Sequence, residues 1–139
     1  HVQTASTPFS HYFLPWRDLA LTAYLIQNEL HGNLGDSVDG SSAIPGDEYR
    51  IAASVSRQTL ARMATSDLLV LSGLTPRHGH EIRYLEDTIE RRHRFRLATI
   101  LITPDQPHEL AIEVAHASGE VDAWTRLSGR LFETSLVAM

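Results

Sequence analysis

The stretch "DLLVLSGL" (67–74) decides the fold class that this sequence predicts. After Asp67 four apolar residues follow one another, and the run ends at Ser72 and Gly73. A short continuous apolar run that is bounded by turn residues is typical of a strand in a parallel sheet. A second such run, "LATILIT" (97–103), is rich in β-branched residues. The two runs predict buried strands that lie side by side or nearly so.

Helical segments alternate with these strands. Pro107 at a first-turn position and Gly119 after the last turn mark the beginning and end of one helix. The predicted helices are 16–30, 56–66, 79–95, 107–118 and 122–130. Further candidate strands are 49–55 and 131–139. Residues 1–15 are predicted to be irregular, and residues 32–48 to form a mobile loop. This alternation predicts a single α/β domain over residues 1–139, with three αβα layers and a mostly parallel sheet.

Composition excludes several kinds of chemistry. The chain of 139 residues contains no cysteine, so disulfides, thiolate metal sites and cysteine nucleophiles are excluded. All 12 basic residues are arginine, which excludes a Schiff-base lysine and the lysine of a phosphate-binding P-loop. The longest apolar runs are far shorter than the roughly 20 residues of a membrane span. With no signal-peptide pattern, we expect a cytoplasmic protein that does not bind membranes.

The densest basic segment is "ERRHRFR" (90–96), although the net charge is −5. Arginine pairs bidentately with phosphate, so this segment is a candidate contact surface for DNA or an acidic protein. The candidate contact residues are Arg91, Arg92, Arg94, Arg96 and, further along the chain, Arg126. A solvated helix end is the competing interpretation, because cations also suit the C-terminal end of a helix dipole.

Two local patterns are too sparse to predict a catalytic or metal site. His78 and His80 offer two imidazoles, but no third ligand is spaced to join them. Ser72 lacks both the G-x-S-x-G elbow and an identifiable His/Asp partner. We therefore predict no metal site, no catalytic residue and no cofactor.

Residues 66–139 resemble the second half of an AAA+ ATPase domain of the helicase-loader and insertion-sequence transposition type. The resemblance rests on the order of "DLLVLSGL", "TIERRHRFRL", "ATILITPDQPHEL", "WTRLSGRLFE" and "TSLVAM". It implies a P-loop-NTPase-like fold in which Ser72 and Gly73 stand where the family has acidic Mg²⁺ ligands. It also implies that Thr103 is the polar sensor position and that Arg126, or less well Arg130, reaches a neighbour's nucleotide.

The departures from this family concern its chemistry. The P-loop should precede the first helix, but "PFSHYFLPWR" (8–17) contains neither glycine nor lysine. The resemblance therefore implies a non-catalytic AAA+-like binding or regulatory subunit, a pseudo-ATPase, in DNA replication, transposition or a related assembly. Its expected partner is a protein, in a homo- or hetero-oligomer, with DNA as a further partner.

Two alternatives stay open. The segments "LVLSGLTPRHGHE" and "ATILITP" also resemble a receiver domain, with Ser72 in place of the phospho-accepting aspartate. A nucleotide hydrolase that is completed by upstream residues or by a partner chain is the other alternative. Strand order distinguishes the AAA+ fold from the receiver fold. A receiver sheet runs 2-1-3-4-5, whereas an AAA+ sheet runs 5-1-4-3-2 and would place "LATILIT" beside the first strand.

Overall fold

The computed structural model describes residues 8–32, 46–134 and 136–138. Within these ranges four β-strands and five α-helices alternate along the chain, which confirms the predicted α/β class. In chain order the elements are β1 (His11–Pro15), α1 (Trp16–Gly32), α2 (Gly46–Thr65), β2 (Leu68–Ser72), α3 (Gly79–Arg94), β3 (Ala98–Ile102), α4 (Pro107–Ser118), α5 (Ala123–Thr134) and β4 (Leu136–Ala138).

The four described strands form one parallel sheet in the order β1-β2-β3-β4. The predicted neighbours β2 and β3 pair directly, with Leu69 opposite Thr99 and Leu71 opposite Leu101. Parallel neighbours need crossover connections, and here the helices provide them. The arrangement is consistent with the predicted three-layer αβα fold.

Helix ends follow the sequence signals where those signals are strong. Pro107 opens α4, and Gly119 closes it with a φ of 74°, a left-handed conformation that favours glycine. The predicted bounds of α1, α3 and α4 agree with the structure to within two residues. Of the predicted loop 32–48, residues 33–45 lie outside the described residues, whereas Gly32 ends α1 and residues 46–48 are not a loop but begin α2.

Three further sequence predictions are corrected by the structure. Residues 49–55 are not a strand but part of the helix α2, in which Ser56 is a buried internal residue and not the N-cap. Residues 11–15 are not irregular, because they form β1 and pair with β2. The segment 131–139 is a strand only at 136–138, since α5 continues to Thr134.

The hydrophobic core lies between one face of the sheet and the helices. The helices contact one another in a connected series from α2 through α1 and α3 to α5 and α4. The core residues are Leu14, Trp16, Leu19, Met63, Leu69, Leu71, Leu74, Ile82, Leu85, Ile89, Leu101, Leu110, Val114, Ala123, Leu127 and Leu131. Burying such residues is the main stabilising contribution to the fold.

The opposite face of the sheet is also apolar, but its described residues are only partly buried. Side chains alternate along each strand, so the register places Phe13, Val70 and Ile100 in one row on this face. Phe13 is 57% exposed, and Ile102 at the end of β3 is 41% exposed. We name the positions of β1, β2 and β3 on this side the open face.

The observed strand order matches neither expected order in full. β3, which contains most of "LATILIT", lies between β2 and β4 and does not pair with β1. If β1 is taken as the first strand of the AAA+ fold, this arrangement contradicts the expected pairing of β3 with β1. The receiver expectation, with the first strand inside the sheet, is not met either, because β1 is at an edge of the described sheet. No described helix is long and apolar enough to span a membrane.

Candidate functional site

A cavity of about 480 Å³ lies at the carboxyl ends of β1 and β2. Ligands of α/β proteins bind at this edge of a parallel sheet, because the loops that leave the strands converge there. The cavity is lined by Pro15, Trp16, Arg17, Ala20, Ser72, Gly73, Thr75, Arg77 and Glu81. It combines an apolar wall, two guanidinium groups and two hydroxyl groups, so it can receive a small polar molecule.

The junction between β1 and α1 closes one side of this cavity. β1 ends at Pro15 and α1 begins at Trp16, so no loop residue separates them. A P-loop needs several glycine-rich residues between a strand and its helix to wrap a phosphate. Trp16 is only 3% exposed, and its Nε1–H has no acceptor among the residues described. Leu14 and Trp16 therefore pack into the core, and the direct junction leaves no phosphate cradle between β1 and α1.

Ser72 and Gly73, which were predicted to stand at motif positions, lie where the chain turns at the end of β2. Gly73 has a φ of 70°, a left-handed conformation that an L-residue with a side chain adopts only at a cost. The hydroxyl of half-buried Ser72 belongs to the cavity lining. Small residues at these two positions thus allow the chain to turn at the end of β2.

Thr103, the predicted sensor position, is buried and uses its hydroxyl internally. Its Oγ1 donates to the carbonyl of Leu74 at 3.3 Å and accepts from the backbone N–H of Asp105 at 3.1 Å. These two bonds tie the exit of β3 to the exit of β2. The hydroxyl is therefore engaged with protein groups on both sides.

Glu81 anchors the beginning of α3 beside the cavity. Its buried carboxylate accepts hydrogen bonds from the backbone N–H groups of Arg77 at 2.8 Å and His78 at 2.9 Å. This geometry satisfies helix-terminal donors. The rings of His78 and His80 stack with centroids 5.4 Å apart. Among the described residues no group of three or more His, Asp or Glu side chains could hold a metal ion.

Two acidic residues beyond β3 form an unusual pair. The carboxyl groups of Asp105, in the loop after β3, and Glu113, in α4, are in hydrogen-bonding contact. Burial, followed by the charge of Asp105 and the hydrogen bond to it, raises the pKa of Glu113. Arg77, from the cavity wall, acts in the opposite direction and lowers this pKa. The pair and the cavity therefore share a cation.

A second candidate site lies at the opposite edge of the sheet, where α3 ends. Arg91, Arg94, Phe95 and Arg96 are all exposed there, and Phe95 is 67% exposed. We name these four residues the basic cluster. None of its three arginines forms an ion pair with a residue in the described ranges. Arg96 has a φ of 55°, a conformation in which glycine is usual at a helix end.

Arg92 is a correction to the predicted contact set, because it is buried and only 1% exposed. Its Nη1 donates to the carbonyls of Met63 and Ser66, each at 2.7 Å, and its Nε donates to Thr99 Oγ1 at 2.8 Å. Its Nη2 donates to the carbonyl of Ala98 at 2.6 Å. Burial lowers the pKa of Arg92 to about 10. This side chain joins α2, α3 and β3 and is not available to a partner.

The other predicted contact, Arg126, lies on α5 and is engaged in ion pairs. It contacts Glu120 and pairs with Glu86 across to α3 at 3.2 Å. The hydrogen bond to Glu120 is the main cause that raises the pKa of Arg126. Arg126 is remote in sequence from the basic cluster, and its charge is already balanced.

The sequence contained a signal for the buried arginine that the charge-based interpretation missed. Ile82, Leu85 and Ile89 form the apolar stripe of α3, and Arg92 continues it at the next helical spacing. The contact between Asp105 and Glu113 had a weaker signal, since the two residues are eight positions apart, one in the loop and one in the second turn of α4. Compared with models of known protein families and with curated proteins, the chain gives no match.

Proposed function

We propose that this chain is a non-catalytic α/β binding subunit, AAA+-like in kind, that contacts DNA through the basic cluster. It would act in a replication, transposition or related assembly and would not hydrolyse a nucleotide itself. The observation that carries the proposal is the basic cluster: three exposed arginines without ion pairs in the described ranges, around one exposed phenylalanine.

The chemistry of the cluster fits DNA better than a protein partner. The molecule as a whole carries a net charge of −5, so local cations rather than overall charge would attract phosphates. Guanidinium groups bind phosphate oxygens bidentately, and an exposed aromatic ring offers a surface for a base or sugar. Helix-dipole stabilisation accounts for Arg91 and Arg94 in the last turn of α3, but it does not account for Arg96 in the following turn.

The cavity at the other edge supports the non-catalytic part of the proposal. The direct junction of β1 and α1 leaves no residues for a phosphate-binding loop there, and no acidic residue ends β2. Both elements would be needed to hold Mg²⁺ and a triphosphate. A hydrolase completed by upstream residues or by a partner chain is the alternative that binding of Mg·ATP would reveal.

Strand order supports a second candidate, a receiver-like protein-interaction module. If β2 is taken as the third strand of the receiver order 2-1-3-4-5, the run β1-β2-β3-β4 follows 1-3-4-5. The AAA+ order 5-1-4-3-2 also contains the run 2-3-4, which β1-β2-β3 can follow. Because both families contain part of this order, the basic cluster and not the sheet carries the main proposal.

The test is a binding titration with labelled single-stranded and duplex oligonucleotides at several salt concentrations. Replacing Arg91, Arg94 and Arg96 together by alanine should weaken binding and reduce the slope of log K against log salt by roughly 2–3. The matched control replaces Arg17, Arg50 and Arg83, which are also exposed, and so removes the same charge. It should change the slope much less.

Three outcomes contradict the proposal. Equal losses in the two triple variants would mean that only net charge matters. Binding that does not respond to the cluster variant would leave the cluster a solvated helix end. Calorimetry that shows micromolar affinity for Mg·ATP would overturn the non-catalytic part and favour the hydrolase.

A further inference from the structure

Near the carboxyl edge of the sheet, Asp105 and Glu113 each have a buried carboxyl oxygen that lacks a hydrogen-bond donor among the described residues. One oxygen of each side chain, Asp105 Oδ2 and Glu113 Oε2, is shielded from solvent and receives no hydrogen from any donor in the described residues. Both side chains are half-buried, and their carboxyl groups touch each other. Two ionised carboxylates are acceptors only, so neither could satisfy the other.

A single proton resolves this contact. A protonated carboxyl group becomes a donor, and a carboxylic acid paired with a carboxylate forms a strong charge-assisted hydrogen bond. Two negative charges in contact repel each other, so such pairs hold one proton more tightly than an isolated acid does. The proton comes from solvent and returns to it, and no other bond changes.

We propose that Asp105 and Glu113 share one proton and form a pH-sensitive latch between the β3–α4 loop and α4. Asp105 is fixed on the loop side, because its backbone N–H donates to Thr103 Oγ1. Glu113 is fixed on the helix side, near the middle of α4. The shared proton closes the loop onto the helix, and its loss places two charges at the contact and opens it.

The surrounding charges determine how far the latch responds. Glu109, one helical turn before Glu113, adds a second negative charge and further raises the pKa of Glu113. Arg77, in the loop between β2 and α3, acts against it by stabilising the ionised form. After the proton is lost, the charge of Arg77 favours the ionised form of Glu113. Because Arg77 also lines the 480 Å³ cavity, opening the latch would alter the cavity wall.

The sign of the pH dependence follows from the raised pKa of Glu113. An acid whose pKa is higher in the folded state binds its proton more tightly there than in the unfolded chain. Its contribution to stability is fully present below the unfolded pKa of roughly 4.3 for glutamic acid. That contribution is lost as the pH rises through the raised pKa of the folded state. The latch is therefore closed on the acid side.

Carboxyl-carbon NMR titration of the full chain tests the shared proton. Glu113 should titrate with a midpoint above that of ordinary glutamates. Asp105→Asn places an amide N–H₂ donor beside Glu113 and removes the like charge, so the midpoint of Glu113 should move downward. Asp122→Asn, which removes an exposed carboxylate from the turn before α5, is the matched control and should leave the midpoint unchanged.

The latch itself is tested by amide exchange across residues 103–113 as a function of pH. In the native chain protection corrected for intrinsic exchange should fall as Glu113 titrates, whereas Glu113→Gln should keep protection nearly independent of pH. A midpoint of Glu113 that is unmoved in Asp105→Asn would overturn the shared proton. Protection that is equally pH-dependent in Glu113→Gln would overturn the latch.

Discussion

The two faces of the sheet have similar sequences and opposite environments. On β2, Leu69 and Leu71 point to the helices and have no exposed surface, whereas Leu68 and Val70 point to the open face and are half-buried. All four residues belong to one continuous apolar run. Hydrophobicity in the sequence therefore does not distinguish the two faces of this strand.

The difference shows that a continuous apolar run does not reveal which strand positions are fully buried. A parallel sheet with helices on both sides needs apolar residues at every position, and the run "LLVL" has that pattern. Among the described residues the fully buried strand positions lie on one side of the sheet, so that side contributes most to the core. Stability should consequently be concentrated on the helix-facing positions, and neighbouring residues of one strand should differ sharply.

The largest expected effect is the loss of Leu69. Leu69→Ala should lower the free energy of unfolding by about 2–5 kcal/mol, because a fully buried side chain leaves a cavity when it is truncated. Leu68→Ala is the same chemical change one residue earlier, and it should cost about 1 kcal/mol or less. Urea unfolding of both variants measures the difference. Equal losses would mean that the open face is covered in solution.

The sequence predicted the elements whose signals are continuous. The two apolar runs predicted β2 and β3 and their adjacency, since four or five apolar residues in a row have no amphipathic alternative. The spacing of Ile82, Leu85 and Ile89 predicted α3. Proline and glycine at its two ends predicted the bounds of α4.

In the wrongly predicted elements, the sequence contains signals for two different structures. "YRIAASV" (49–55) contains β-branched residues that favour a strand, but Ala53, Ser56, Leu60 and Met63 share a helical spacing that extends past it. Tertiary packing of that stripe decided in favour of α2, because intrinsic preference is weak beside burial. Pro8 and Pro15 suggested that residues 1–15 are irregular, although 11–15 form β1. Pro15 is tolerated there because it ends a strand at the edge of the described sheet.

The candidate sites were predictable only in part. The charge of "ERRHRFR" identified the basic cluster, but charge alone gave Arg92 the wrong environment. The contact of Asp105 with Glu113 depends on how a loop folds back on the following helix, which no local pattern encodes. Sites that are assembled by tertiary contact are in general beyond a reading of local spacing.

The second-largest expected effect concerns Arg92, a buried guanidinium on the helix-facing side of the sheet. Arg92→Met keeps much of the volume but leaves the carbonyls of Met63, Ser66 and Ala98 without their donor. Unsatisfied buried carbonyls should lower the free energy of unfolding by about 1–3 kcal/mol. Arg91→Met, the neighbouring exposed change, should stay within about 0.5 kcal/mol. If the two variants melt alike in denaturant, water replaces the guanidinium and Arg92 is not a structural connection.

The smallest expected effect is on the open face, and it tests the comparison most directly. Phe13→Thr removes a large apolar side chain that is 57% exposed and replaces it with a residue that also favours strands. Because little of its surface is buried, the free energy of unfolding should change by no more than about 0.5 kcal/mol. Leu14→Thr, the adjacent change on the helix-facing side, places a hydroxyl in the core and should cost several times as much. Thermal and denaturant unfolding of the two variants, each at two protein concentrations, gives the comparison. A large, concentration-dependent loss for Phe13→Thr would show that another surface covers the open face, and the two sides of the sheet would then be equivalent in stabilising the fold.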